Sequence, residues 1–369
     1  MRLIEHPDEL ESFCLEIASA PWLAIDTEFL REKTYFPKFC LLQIASPTSI
    51  ASIDPLKLPS MEPLRRILYS PSVVKIFHAA RQDLEIFHGL WQSIPVPLFD
   101  TQIAASAIGL ADQIGYASLV EHLLGIKLSK GETRTNWSQR PLSTEQLAYA
   151  LDDVHHLGTL YALLSEKLLQ LNRLDWVIED SGKLCDPALY QFNPNLAWQR
   201  IKGTSRLTPR ASRTLYSIAK WREEKAADKN IPRNWVIRDE AACELARICE
   251  SGFHKEKVIQ VIKRERIQSL QAELIECLEL AQQNNIYPQN EEISYTHLDD
   301  FQQKRLKELS VLIEKKSAEL EIRPSLLATK KDQINLIAKG MKSTKMDGWR
   351  AIYLRPILME LDSSIEHPE

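Results

Sequence analysis

With 369 residues, the chain is long enough for two or three domains, each able to bury a core of its own. Hydrophobic residues make up 44%, charged residues 26%, and only 11 glycines occur, which excludes wholesale disorder and collagen-like or glycine-linker architectures and leans toward helix. The formal net charge of −4 announces no polyanion partner, so any nucleic-acid site must be a local basic surface.

Met1 to Leu10 is charged and interrupted by Pro7, which does not fit a signal peptide. No uncharged apolar run approaches the roughly 20 residues of a bilayer span. Six cysteines (Cys14, Cys40, Cys185, Cys243, Cys249, Cys277) are scattered without a Cys-x-x-Cys pair, the pattern of buried thiols rather than of a disulfide framework or zinc site. The expectation is a cytoplasmic protein with no membrane association.

In chain order, Trp22–Asp26, Cys40–Ile44, Ser49–Ile53 and Val73–Phe77 read as strands, with Asp54-Pro55 closing the third. A helix is predicted from Ala79 to Leu90. Strands that give way to strands interleaved with helices indicate a mixed α/β sheet with flanking helices. Ser143 and Gln146 have the spacing of a capping box, opening a helix predicted to run through Leu157 and Leu164. Residues 171–205 read as a partly helical connector. Thr208-Pro209 then fits an N-cap followed by proline at the first helical position, with Ala211, Leu215, Ile218 and Trp221 as the apolar stripe. Asp239 opens another helix bearing Leu245 and Ile248. The polar stretch 289–299 suggests a linker, and Leu306, Leu309, Ile313 and Leu320 repeat at helical spacing beyond it. The expected organisation is an α/β domain at 1–170, the connector at 171–205, and two all-helical bundles at 206–288 and 298–369.

Ile25-Asp26-Thr27-Glu28-Phe29 places two carboxylates two residues apart at the end of an apolar strand, so alternation sends both to one face. Like charges at a buried strand end raise each other's pKa, and a divalent cation between them reverses that penalty. The alternative for this pentapeptide is an exposed strand end with solvated acids. Asp83, early in the helix after Val73–Phe77, and Tyr149 with Asp153, four apart on one helix face, complete an Asp-x-Glu, Asp, Tyr-x-x-x-Asp series. Four carboxylates suit two hard cations, Mg²⁺ or Mn²⁺, of the kind that promote in-line phosphodiester displacement. The Tyr149 phenol suits orienting the attacking water, since a phenol pKa of about 10 makes it a poor strong base.

At these residues the sequence resembles a known family. Asp26-Thr-Glu-Phe-Leu-Arg-Glu-Lys-Thr-Tyr-Phe-Pro37, His78…Asp83-Leu, Phe99-Asp-Thr-Gln102, Lys130-Gly-Glu-Thr-Arg-Thr-Asn-Trp137 and Tyr149…Asp153 are similar to bacterial ribonuclease D, of the four-acid (DEDDy) exonuclease superfamily. The resemblance extends along the whole chain. Trp221-Arg222-Glu…Lys225…Asn230-Ile-Pro-Arg-Asn-Trp-Val-Ile-Arg238 resembles the helicase and RNase D C-terminal (HRDC) domain, with a more divergent copy around Ile322-Arg-Pro, Leu326–Lys331 and Gly348-Trp349-Arg350. It implies a ribonuclease-H-like exonuclease domain followed by two HRDC-like bundles. It also implies divalent-metal-dependent 3′→5′ exoribonuclease activity that releases nucleoside 5′-monophosphates and trims precursor-tRNA 3′ ends. Asp26, Glu28, Asp83 and Asp153 fill the metal-binding positions, and Tyr149 the water-orienting one. Gln82 stands where an acid is common in the family. Asp152 beside Asp153 offers a second acid, and the four-residue step from Tyr149 favours Asp153.

A single-stranded 3′ end threaded into such a site calls for stacking groups and backbone cations. Phe29 is a candidate wedge against the terminal base, with core packing as its alternative. Lys130, Arg134, Trp137 and Arg140 are candidate substrate contacts on the segment before the Tyr149 helix, lifted above a solvated basic loop by the family resemblance. Residues 201–240 hold ten Lys and Arg against five Asp and Glu, a local net charge of +5. That is the footprint of RNA-backbone binding, with an ordinary charged helix face as the alternative. Trp221 and Trp235 read as core of the small bundle, and His78 as a structural hydrogen-bonding group. The leading function is thus an RNA 3′ exonuclease acting as a monomer. A DNA 3′→5′ exonuclease and a non-catalytic RNA-binding protein on the same fold are the alternatives.

Overall fold

The apolar runs of the first hundred residues assemble into one six-stranded sheet in the computed structural model, which describes residues 2–128, 135–204, 207–283, 298–340 and 347–366. The elements begin β1 (Leu3–Ile4), α1 (Pro7–Ile17), β2 (Trp22–Leu30), β3 (Lys38–Ala45), β4 (Ile50–Ile53), α2 (Glu62–Leu68) and β5 (Val74–Phe77). They continue α3 (Arg81–Trp91), β6 (Leu98–Asp100), α4 (Thr101–Ala107), α5 (Tyr116–Leu124), α6 (Thr144–His155), α7 (Leu157–Gln170) and α8 (Leu174–Leu184). The strand order is β1-β4-β3-β2-β5-β6. β4 is antiparallel to β3, and β5 runs parallel to both β2 and β6. The strand expected at Trp22–Asp26 therefore continues to Leu30, while β1 and β6 are too short for periodicity to reveal.

Both faces of the sheet are covered, and the alternation along β2 fixes which side each residue serves. Leu23 and Ile25 join the apolar cluster built with Leu10, Phe13 and Ile17 of α1, Leu64 of α2 and Leu84 and Phe87 of α3. Trp22 and Ala24 join the opposite cluster, with Ala104 of α4, Val154 of α6 and Leu157, Leu160 and Leu164 of α7. Gly158 is required on this face, because a Cβ there would fall 2.2 Å from the Trp22 ring.

The helix expected to run unbroken through Leu164 is divided at His156 into α6 and α7. The cause is Tyr116. Its hydroxyl donates to the Asp152 carbonyl (2.8 Å) and accepts from the His156 amide (3.3 Å), intercepting the bond those two groups would share in a continuous helix. The capping box at Ser143 and Gln146 opens α6.

Two compact units result. The first comprises Met1–Phe29, Phe39–Tyr190 and Thr296–Glu369, the second Leu30–Lys38 and Gln191–Tyr295. In the second, α9 (Pro209–Asp228), capped by Thr208, packs with α10 (Arg233–Val236), α11 (Asp239–Ile248), α12 (Lys255–Glu265) and α13 (Gln271–Gln283). Tyr35, from the segment between β2 and β3, belongs to this core.

The C-terminal helices α14 (Asp300–Glu319), α15 (Pro324–Leu327), α16 (Lys330–Lys339) and α17 (Trp349–Glu366) pack within the first unit. Trp349 stacks on Trp176 of α8 with centroids 3.9 Å apart, and Arg350 makes two bonds to the Asp180 carboxylate (2.7 and 2.8 Å). The sequence shows these helices by their periodicity but not the surface against which they pack.

Candidate active site

The register of β2 sorts the motif residues. Asp26 and Glu28 continue the Trp22–Ala24 side, toward the face covered by α6 and α7, whereas Thr27 continues the Leu23–Ile25 side, toward α3. Asp153 of α6 meets the two strand acids there. Asp26, Glu28 and Asp153 each present a carboxylate oxygen, all within 4.8 Å of one another. Asp152 is not part of this group.

Asp83, on the first turn of α3, approaches from the other side of the strand. It is buried and accepts a hydrogen bond from the buried Thr27 hydroxyl. One residue of the motif thus ties the fourth acid to the strand that carries the first two. The α3 end is fixed in turn by Asp100, also buried. Its carboxylate accepts from the amides of Ala79 (3.1 Å) and Ala80 (2.9 Å) and from those of Gln102 (2.8 Å) and Ile103 (3.4 Å). One carboxylate therefore holds the approach to α3 and caps α4. His78, beside it, has both ring nitrogens occupied: Nε2 donates to the Ile114 carbonyl, and Nδ1 pairs with the Thr101 hydroxyl, both at 2.9 Å.

Crowding governs the electrostatics. Burial, then the charges of Asp83, Asp153 and Glu28, hold the Asp26 carboxyl well above its ordinary range. Burial, then Asp153 and Asp83, push Glu28 up to about 9. Asp83 is raised to about 7 by burial, with the Thr27 hydrogen bond working against the shift. Asp153 also rises to about 7, through burial and then Asp152, while the hydrogen bond from Tyr149 opposes it. The protein alone therefore holds these acids against their ionisation, and positive charge placed among them relieves that. The donors are all hard oxygens, which fit Mg²⁺ or Mn²⁺ rather than a soft metal.

The remaining candidates divide. Phe29 is half-buried at the next position of β2. Lys130 and Arg134 lie outside the described residues. Trp137 is 2% exposed and packs against Tyr149, centroids 6.2 Å apart, so its ring faces protein rather than a base. Arg140 corrects the expectation of a substrate contact more sharply. Nε and Nη2 bind the fully buried Asp54 carboxylate, Nη2 also donates to the Cys40 carbonyl (2.7 Å), and Nη1 donates to the carbonyls of Trp137 (2.7 Å) and Gln139 (2.8 Å). All five guanidinium donors are engaged. Arg140 fastens the segment before α6 to the sheet.

In the second unit, four cations of the basic stretch are paired internally: Arg222 with Asp239, Lys225 with Glu273, Arg233 with Glu223 and Arg238 with Glu265. Trp221 is core, but Trp235, expected beside it, is 57% exposed, because the single turn of α10 buries Val236 instead. Sequence reasoning missed Thr27, Asp100 and Tyr116 as supports of the site. Asp100 carried a signal, an Asp directly before a helix start.

The mixed sheet with an acid cluster at its central strand defines a nuclease-type domain, and residues 1–169 match the family model described as a 3′-5′ exonuclease. Among relatives, a ribonuclease D of Bartonella henselae is 35% identical over 95% of this chain and 87% of that protein. One from Sphingobium indicum is 42% identical over 66% of this chain. The aligned stretch spans 63% of that relative, just under two thirds of its length. The crystal structure of Escherichia coli RNase D, described as an exoribonuclease involved in structured RNA processing, superposes with a TM-score of 0.86. It is 29% identical, covering 100% of this chain and 99% of that one. This chain belongs to the ribonuclease D family. Among the described residues, no helix is long and apolar enough to cross a membrane.

Proposed function

We propose that this chain is a divalent-metal-dependent 3′→5′ exoribonuclease that releases nucleoside 5′-monophosphates and trims the 3′ ends of precursor tRNA and other structured RNAs. The observation that carries the reading is the convergence of Asp26, Glu28 and Asp153 within 4.8 Å beside a fourth, buried acid. Such a group serves phosphodiester hydrolysis through bound cations, and the family resemblance supplies the polarity and the RNA.

In this reading Asp26, Glu28, Asp83 and Asp153 hold two Mg²⁺ or Mn²⁺ ions. When bound, these ions supply charge neutralisation of the scissile phosphate and a lowered pKa for the attacking water. The chain's own residues set the geometry. Thr27 donates to one oxygen of Asp83 and so orients that carboxyl for its role as a ligand. Tyr149, bonded to Asp153, orients the water with its phenol. Phe29 stacks on the terminal base, and Lys130 and Arg134 bind phosphates of the incoming strand. Gly158, by allowing α7 to approach Trp22, keeps the α6 acid near the strand acids.

The two helical bundles are assigned as HRDC domains, spanning 206–288 and a divergent 298–369, after the nuclease domain at 1–170 and the connector. The protein acts as a cytoplasmic monomer in this account, with its six free cysteines suited to a reducing compartment. The test is incubation with a 3′-extended tRNA precursor, a single-stranded RNA and a single-stranded DNA, with Mg²⁺, Mn²⁺ or EDTA. Stepwise mononucleotide release from RNA, abolished by EDTA, is expected. Preferential digestion of DNA, or internal cuts, would replace the reading.

A further inference from the structure

Two motif segments not used by the chemistry interlock inside the second unit. Tyr35, on Leu30–Lys38, is buried against the α9 core, and its hydroxyl bonds to the Glu223 carboxylate at 2.5 Å. The amides of Tyr35 and Phe36 both donate to Oδ1 of Asn230, each at 3.1 Å. Asn230 has a φ of 46°, in the left-handed region that asparagine tolerates better than most residues. The Arg233 guanidinium lies 4.6 Å from the Tyr35 ring centroid while also holding Glu223 through Nε, and Arg200 holds the same carboxylate at 2.9 Å. The tyrosine is thus clamped on its hydroxyl, its backbone and one ring face.

Two further rings stand on that fixed base. Phe36 meets Tyr35 edge-on with centroids 4.8 Å apart, and Phe192 does so at 6.2 Å. Each is 48% exposed. Both rings lean on Tyr35 and still leave about half of their surface to water, at a hydrophobic cost. The charge around them is positive. Arg200 and Arg233 outnumber the Glu223 they share, and the segment adds Arg31, Lys33 and Lys38 against Glu32.

We propose that Phe36 and Phe192 form a stacking site for unpaired bases of single-stranded RNA, with Arg200 and Lys33 supplying phosphate contacts. The inference rests on the reading of RNA as the substrate. Exposed rings held on a rigid support meet bases with little ordering cost, and flanking cations meet the backbone between them. Base–aromatic stacking measured by alanine substitution is worth ~1–3 kcal/mol per base, which is a change of about 5- to 150-fold in Kd.

The test is fluorescence anisotropy of a labelled single-stranded oligoribonucleotide with the full chain in EDTA, accompanied by thermal melts and by turnover assays with metal. Phe36→Ala and Phe192→Ala should each raise Kd at least fivefold with Tm held. Phe36→Trp should retain affinity, whereas Phe36→Leu, apolar but without a π face, should behave like alanine. The phenylalanine variants should leave the salt slope of binding unchanged, and Arg200→Ala should flatten it. At saturating RNA, kcat should persist. A double alanine variant that binds as the wild type does, in a wild type that itself binds and trims RNA, overturns the stacking site alone. Full rescue by leucine overturns it too. A wild type that neither binds nor trims RNA overturns both this site and the functional reading.

Discussion

Replacing Glu28 by glutamine should stabilise the metal-free protein at alkaline pH while destroying its use of metal. Burial and the charges of Asp153 and Asp83 raise the Glu28 carboxyl to about 9 in the folded chain, from an ordinary 4.5. Between those values the unfolded chain has released the proton that the native state retains, so stability falls as pH rises. At 1.36 kcal/mol per pH unit, one such proton costs the native state up to about 4 kcal/mol between pH 5 and pH 8. Glu28 is half-buried, and solvent screening lowers that ceiling to ~2 kcal/mol, or ~4 °C in Tm for a unit of this size. The assay is differential scanning calorimetry in EDTA at pH 5 and pH 8. Glu28→Gln should melt above the wild type at pH 8 and close to it at pH 5. Saturating Mg²⁺ or Mn²⁺ should then raise the wild-type Tm far more than that of the variant. An equal Tm offset at both pH values would refute the reasoning, because a fixed offset reports packing rather than proton linkage.

Other expectations are narrower. Tyr149→Phe removes the phenol bonded to Asp153 but no carboxylate, so steady-state assays should show kcat reduced at least tenfold with KM nearly unchanged. Arg140→Ala strands the buried Asp54 carboxylate and should cost ~3–5 kcal/mol, read by denaturant melts. Gly158→Ala drives a methyl group into the Trp22 ring and should cost ~1–3 kcal/mol, read as a lowered Tm with reduced kcat.

Much of this site is legible in the chain because it lies in local spacings. Asp26 and Glu28 share a face by strand alternation, and the Tyr149–Asp153 step is one helical turn, both visible before any fold is drawn. The supports are not local. Thr27 reads as filler between two acids until Asp83 arrives from 56 residues away. Tyr116 lies 36 residues before the Asp152 carbonyl to which it donates, so the periodicity of 144–164 gave no hint of the break. Arg140 and Trp137 illustrate the reverse error. A cation and an aromatic beside an active-site helix suggest ligand contacts, yet burial makes one a fastening for Asp54 and the other packing for Tyr149. Residue type alone does not reveal which donors are already spent.

The central claim, that converging carboxylates recruit metal for cleavage from an RNA 3′ end, meets its most direct measurement in a product ladder. A 5′-labelled, 3′-extended RNA is incubated with the wild type and with Asp26→Asn, each with Mn²⁺, Mg²⁺ or EDTA. The account predicts shortening by single nucleotides for the wild type with metal, and intact RNA in EDTA and with the variant. Equal trimming by folded Asp26→Asn, or trimming that persists in EDTA, would contradict it.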